Sequence, residues 1–462
     1  MKKICALLTA ALLLLTACSA LPPSGGTADS TAATTDAPGT TGESTPAETE
    51  TEPETTQALP KNEIIVWTFD SEVERTRALC EYYLGKPQQP VPPPEGGWTV
   101  TVKPVVVEEL ISRMKEATDT STMEGLLPDI EEMPDLFFFY SDDFEVLQQA
   151  GMLSEVPEKA AASLGKRTVS AALDAAGEGG TLYAYPAALD NTFLLYYDKS
   201  VVSETEDLSS VIGQCEAAGR CFYVGSETMS FPAEVFLSCG LNYEATVLPD
   251  GRITQVNCDY YTEKGLEAAK MMQSVMSRGA FRAVEGSPVL TFSSEQDRAG
   301  AMIAASYLTS ELRGILGDDY GVSALPSISD GETSLPLATF GTYVMVGVTP
   351  KKDLVKRTVC HGLAEQLVSA EAQTARFEEA GIIPVSTPAL NKIDTEDNET
   401  ASALAAQTPY TMRKIRVSEG YYEAMERFTA KLLAGGASMK TAKLQQMLDE
   451  LSAFLMADVS KE

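Results

Sequence analysis

Leu136-Phe137-Phe138-Phe139 is an apolar run without alternation, set between Pro134-Asp135 and the acidic turn Tyr140-Ser141-Asp142-Asp143. A strand carries such a run only when both of its faces are covered, the environment of an inner strand in an α/β sheet. An amphipathic helix follows and stops at Gly151; Ser141 is placed to cap it and Gly151 to supply the left-handed residue at its end. In open α/β sheets ligands lie beyond the carboxyl ends of the strands, so residues 140–143 fall where a ligand is held.

The flanking sequence repeats the pattern. Residues 63–70 read as a short strand, and Ser71-Glu72-Val73-Glu74 as a capping box opening a helix that Gly85 ends. A Pro-rich loop at 87–97 precedes an alternating strand at 98–107, and Val107, Leu110, Ile111, Met114 and Thr118 share one helical face. The order β-α-β-α-β-α predicts a parallel sheet with helices on both faces. Residues 180–186 read as a strand ending at Pro186 and residues 193–199 as another, with Asp190 and Asn191 in a crossing between them. Residues 221–224, 263–276 and 300–312 continue the alternation in a second domain; 320–326 and 337–348 read as strands, and 365–457 as helical.

The net charge of −31 excludes a nucleic-acid partner, since phosphate backbones are held by Lys and Arg. His361 is the single histidine and C-x-x-C is absent, so no metal site is expected, and no cofactor. Six cysteines follow the first two; Cys215 with Cys221, or Cys239 with Cys258, are disulfide candidates, and free buried thiols fit equally well. Ser112-Arg113-Met114-Lys115 matches S-x-x-K without its companion motifs and reads as chance on an amphipathic helix. No catalytic residue is expected.

Lys2 and Lys3 precede an apolar run from Ile4 to Leu15, too short to span a bilayer and typical of a secretory signal. Leu15-Thr16-Ala17-Cys18 resembles the lipobox of bacterial lipoproteins, which implies lipidation at Cys18 and an anchored protein outside the cytoplasm. Residues 19–60 are Thr, Ser, Ala, Pro, Gly and Glu, a composition that cannot bury enough surface to order itself; a coil of that length reaches about 35 Å.

Several stretches, in order, resemble the extracellular solute-binding lipoproteins of ABC importers, maltose/maltodextrin-binding type. They are Pro134-Asp135-Leu136-Phe137-Phe138, Gly151-Met152-Leu153, Leu182-Tyr183-Ala184-Tyr185-Pro186 and Leu195-Tyr196-Tyr197-Asp198-Lys199. Ala301-Met302, Gly321-Val322 with Leu325-Pro326, and Gly381-Ile382-Ile383-Pro384-Val385 complete the set. The resemblance implies an α/β, two-lobe periplasmic-binding-protein-like fold of the class II type, hinge-linked, with a ligand cleft between the lobes. Residues 1–17 are then a signal peptide and 18–60 the lipidated cysteine and tether. Lobe 1 is 61–190 plus 326–368, and lobe 2 is 191–325 plus 369–457, with crossings near Asp190, near Leu325 and at 365–371.

Carried over residue by residue, the resemblance places Phe139 where the family has Trp, Asp142 at its sugar-binding Asp, and Asp143 where an Arg follows. Asp190 matches a cleft Glu beside Asn191, and Glu227 a second-lobe Glu. Stacking Trp positions fall near Leu308 or Tyr307 and at Tyr421, and Trp67, Phe69 and Asp70 occupy the region of another acidic contact. Carboxylates taking paired hydroxyls beside aromatic faces suit a sugar, whereas Asp142 next to Asp143 also suits a cationic ligand. Both aspartates also suit a helix N-terminus, and Tyr183 and Tyr185 suit a core. The expected function is capture of an oligosaccharide for an ABC permease by a monomeric, lipid-anchored receptor. The alternatives are a non-sugar ligand or a surface glycan-active enzyme using cleft carboxylates.

Overall fold

The computed structural model describes residues 62–87, 91–105, 134–224, 231–248, 252–283, 288–350, 353–393 and 398–459, all within one compact unit, Ala58–Glu462. The signal segment, Cys18, the tether, the helix expected at 107–118 and Glu227 lie outside the described residues.

Two sheets organise this unit. In the first, Glu63–Thr68 pairs in parallel with Thr99–Pro104 and with Leu136–Tyr140. Thr339–Val348 then closes that side antiparallel to Leu136–Tyr140 and to Ala184–Asn191, and Thr411–Arg413 adds a short parallel edge. The sheet is therefore mixed, not wholly parallel, because the strand that returns from the second lobe enters it from the opposite end. Period-two alternation splits its side chains between two layers: Ile64, Val66, Leu136 and Phe138 face one, while Ile65, Trp67, Phe137 and Phe139 face the other. The second sheet orders Phe281–Ala283, Cys221–Val224, Ala299–Ala305, Phe193–Asp198 and Tyr320–Ser323. It too is covered on both faces, by Leu195, Phe222 and Ile303 on one and Leu194, Tyr196 and Met302 on the other.

Leu136–Tyr140 forms as read, and Gly151 adopts φ +67° at the end of the helix that follows. The strand expected to stop at Pro186 instead runs on to Asn191. Two register shifts make this possible: Met345 faces Pro186 while Val344 faces Ala188, and Thr342 faces Asn191 while Tyr343 faces Leu189. Ala187 and Asp190 are thus the extra residues of two bulges, and the first sits beside Pro186, where the ladder lacks a proline N–H.

Neither expected N-cap is used. Asp70–Glu72 forms a 3-10 turn, and Glu72 turns inward to Arg376 at 3.1 and 3.2 Å and to Arg75 at 2.5 Å. Ser141 accepts instead from the backbone N–H of Tyr343 at 2.9 Å.

The second crossing lies further along than Leu325, and the third further along than 365–371. Leu325, Ile328 and Leu337 all pack in the second lobe's core, with the hairpin Ser327–Ser329/Ser334–Pro336 between them. Leu325-Pro326 marks a turn inside that lobe, since proline reports a break in structure and not its destination. Helix Ala370–Ala380 stays with the first lobe: Arg376 meets Glu72, and Ile383 and Val385 join the core around Phe137. Helices Tyr421–Gly435 and Thr441–Ala457 pack on the second lobe through Met425, Phe428, Leu448 and Leu455.

The six cysteines of the described residues are buried free thiols, so neither Cys215–Cys221 nor Cys239–Cys258 is a disulfide. Burial pushes Cys80 and Cys215 up to about 12, which makes both unreactive at neutral pH.

Candidate functional site at the lobe crossings

The chain passes from the first sheet to the second at Asn191–Phe193 and returns at 338–341, and the two passages touch. A Cβ placed on Gly341 collides with Thr411 Cγ2 and meets the Asn191 carbonyl oxygen at 2.5 Å. Only glycine allows that approach, because the Asn191 contact is to backbone and cannot swing aside. Gly341→Ala is expected to lower the unfolding free energy by about 1–3 kcal/mol, read from urea denaturation. Around this junction Thr192 Oγ1 meets Thr411 Oγ1 at 2.8 Å, and Tyr343 donates its hydroxyl to the Thr411 carbonyl. Ser306 Oγ donates to Asn191 Oδ1 at 2.8 Å and accepts from Thr192 N at 3.2 Å, so the first crossing is bonded to the turn Ser306–Leu308 of the second lobe.

Beside the junction sits a charged cluster. Asp142 accepts from Thr342 Oγ1 at 3.1 Å and lies 3.6 Å from Lys414 Nζ. Asp190, put out of register by its bulge, remains open to solvent although protein surrounds much of it, as for a group on the wall of a cleft. That partial burial, reinforced by the negative charge of Asp142 and opposed by Lys414, raises the Asp190 carboxyl above its ordinary value. Arg413 is occupied elsewhere: it pairs with Glu145 at 2.9 Å and lies over the Phe144 ring at 4.9 Å. Among the described residues, Lys414 is therefore the cation presented to the aspartates. At the carboxyl ends of the neighbouring parallel strands, Phe69 stacks on Tyr140 with centroids 4.8 Å apart and planes at 19°. Both rings are half-buried, a surface suited to the C–H face of a sugar ring.

Of the residues singled out from the sequence, Asp142, Asp190 and Asn191 meet here. Tyr307 belongs to the turn that Ser306 holds, 60% exposed, and Asp70 stands exposed one residue beyond Phe69. Asp143 is half-buried in the turn Ser141–Asp143 and makes no side-chain cap for helix Phe144–Gln149. Three residues are elsewhere. Trp67 and Phe139 are buried in the core layer with Phe137 and Met345, because alternation puts Ile65, Trp67, Phe137 and Phe139 on the face opposite Tyr140. Tyr421 is 4% exposed and packs on Tyr243, at 4.9 Å, in the second lobe's core. Sequence reasoning placed Tyr140 in the ligand-side turn without naming it as an aromatic contact, and it missed Thr342 and Lys414, for which no local signal exists.

A separate cavity of ≈ 1530 Å³ lies in the first lobe, lined by Tyr83, Arg167, Arg357, His361 and Glu365 among others. It shares no residue with the cluster at the crossings, and it touches one lobe only. His361 there bonds the Tyr185 hydroxyl at 2.9 Å, and burial, with Arg357 adding to it, pushes the imidazole down to about 4. Among the described residues no group of three or more His, Cys, Asp or Glu could hold a metal, and no helix is long and apolar enough to cross a membrane.

Two α/β lobes joined by crossings, with polar and aromatic side chains gathered at the junction, define a two-lobe binding protein. The family model of the bacterial extracellular solute-binding proteins matches residues 95–403, and the chain belongs to that family. Members of this family are binding proteins that serve ABC permeases.

Among solved structures, the maltodextrin-binding protein MalE1 from L. casei BL23 without ligand is similar at 15% identity and TM-score 0.62, over 85% of this chain and 98% of that one. A cyclo/maltodextrin-binding protein complexed with maltotetraose shares 16% identity at TM-score 0.63, over 85% and 97%. The maltose-binding periplasmic protein MalE from Listeria monocytogenes in complex with maltose shares 12% at 0.61, over 86% and 99%. At such identities these likenesses speak to fold. No curated protein matches the sequence.

Proposed function

We propose that the protein is an extracytoplasmic receptor, anchored by a lipid on Cys18, that captures an oligosaccharide at the lobe crossings and presents it to an ABC permease. The observation that carries this reading is the pairing of Asp142 and Asp190 with the Phe69–Tyr140 stack beside the junction. Carboxylates take two sugar hydroxyls each, and the aromatic pair offers the apolar surface that a pyranose face needs. Lobes that close on a ligand need only bind it better closed than open. The similar solved structures that hold maltotetraose and maltose support the ligand class. Maltotriose and longer maltodextrins are expected to raise the melting temperature as their concentration rises, by RT ln(1 + [L]/Kd). A rise with peptides or polyamines and none with any sugar would remove the carbohydrate from this reading and leave the receptor.

One feature favours a second reading, a glycan-active enzyme. Asp142 and Asp190 act on one another, and the raised Asp190 has the character of a general acid. Incubation with oligosaccharide separates the two: release of product that Asp142→Asn abolishes would reverse the order.

A further inference from the structure

Glu234, on helix Phe231–Ser238, is fully enclosed at 0% exposure. Its Oε1 accepts a 2.6 Å hydrogen bond from Thr339 Oγ1, and its Oε2 has no hydrogen-bond partner among the described residues. Thr339, also 0% exposed, is the first residue of the strand that carries the chain from the second lobe back into the first. Two other side chains hold the same crossing. Ser238 Oγ accepts from Ala338 N at 2.8 Å; Gln407 donates to the Leu337 carbonyl at 3.3 Å and accepts from Leu325 N at 2.9 Å. Serine and glutamine keep one charge state at every physiological pH, so of the three ties only Glu234 can change. A carboxyl with one donor and a second oxygen enclosed without a partner among the described residues is accommodated as the acid. The carboxylate needs another donor or water, and reaching either requires the helix and Thr339 to part.

From this geometry we infer that Glu234 is a protonation-dependent latch on the second lobe crossing. The acid form holds residues 337–341 against helix Phe231–Ser238, and ionisation loosens the joint between the lobes. Burial pushes this carboxyl up to about 7, with Thr339 pulling the other way. The folded value lies above the ordinary 4.5, so the latch is complete below about 4.5 and is lost as pH rises through about 7.

Other titratable groups around the helix face elsewhere. Lys264, Glu267 and Asp330 act on Cys239 at its end, Tyr260 and Tyr421 bond one another, and Arg413 and Lys414 are engaged with Glu145 and Asp142. None of them contributes to the shift of Glu234. Glu227, outside the described residues, is covered by a control.

Hydrogen exchange followed by mass spectrometry on the purified protein, without ligand, at about pH 6 and about pH 8 with labelling times corrected for intrinsic exchange, tests the latch. The peptide spanning 337–343 should lose roughly tenfold in protection at the higher pH, and Glu234→Gln should abolish that loss. Thr339→Val keeps the carboxyl and removes its donor, so the loss should move to higher pH. Equal wild-type protection at both pH values, an unchanged loss in Glu234→Gln, or its disappearance in Glu227→Gln would each overturn the latch. Should Glu234→Gln not fold, an unmoved midpoint in Thr339→Val overturns it.

Discussion

Arg376→Met is expected to cost about 3 kcal/mol of unfolding free energy, toward the lower end of the roughly 3–5 kcal/mol for breaking a buried ion pair. Arg376 is 2% exposed and Glu72 4%, and the guanidinium meets Glu72 Oε2 through two nitrogens at 3.2 and 3.1 Å. Removing the cation leaves a buried carboxylate, but not an isolated one, since Arg75 reaches its other oxygen at 2.5 Å. That remaining partner places the cost near the bottom of the range. Glu72→Met together with Arg376→Met should recover part of the loss, because an apolar pair of similar volume carries no desolvation penalty and Arg75 keeps Glu379. Urea denaturation of the three proteins checks the pattern, and salt should alter it little, since screening acts weakly on enclosed charges. A double variant as unstable as the single one would show that Arg376 acts through its packing beside Phe138, 6.0 Å away, and not through charge.

The pair also shows where the sequence could be read and where it could not. Strand Leu136–Tyr140, its turn and Gly151 were legible because each is set by local chemistry: an unbroken apolar run, acidic residues, a left-handed glycine. The Ser71–Glu74 capping box was equally plain and equally local, yet it is unused. Glu72, inside that box, reaches Arg376, 304 residues away, and nothing near residue 72 announces that partner.

The same division runs through the candidate site. Asp142 and Asp190 were singled out from their places after a strand and at a crossing. Lys414 could not be found, since it follows a three-residue strand that, among the described residues, pairs with 339–341 alone. The bulge at Asp190 was hidden too, because register shifts depend on the partner strand. Trp67 and Phe139 were misplaced for a reason the sequence did contain. Alternation along two paired strands sends both into the layer of Ile65 and Phe137 and leaves Tyr140 on the other side, where Phe69, one residue past the end of its strand, meets it.

Asp142→Asn is expected to weaken maltodextrin binding by about 10- to 100-fold, the loss that follows from turning a charged acceptor into a neutral one at roughly 1.5–3 kcal/mol. The substitution keeps the shape of the side chain, and the Thr342 hydroxyl can still donate to the amide oxygen, so folding should change little. Lys414 loses a partner only 3.6 Å away but is itself half-exposed, so that loss is small. Asp190→Asn should cost less at neutral pH and should differ in its pH dependence.

The Asp190 carboxyl titrates above its ordinary 3.8 because it is partly enclosed and faces Asp142. Binding that uses the carboxylate is therefore complete at neutral pH and falls away as pH drops through that raised value, earlier than for an ordinary aspartate. Neutralising Asp142 removes one of the two causes of the shift, so in Asp142→Asn the fall should move to lower pH. Isothermal titration with maltotriose across the acid range, on wild type and both variants, reads these shifts directly. A wild-type affinity that holds down to the ordinary aspartate range would mean that Asp190 does not touch the ligand. An unmoved midpoint in Asp142→Asn would mean that the two carboxylates are not coupled in the bound state. Either result would shift the site away from the bulge, toward the aromatic pair at Phe69 and Tyr140.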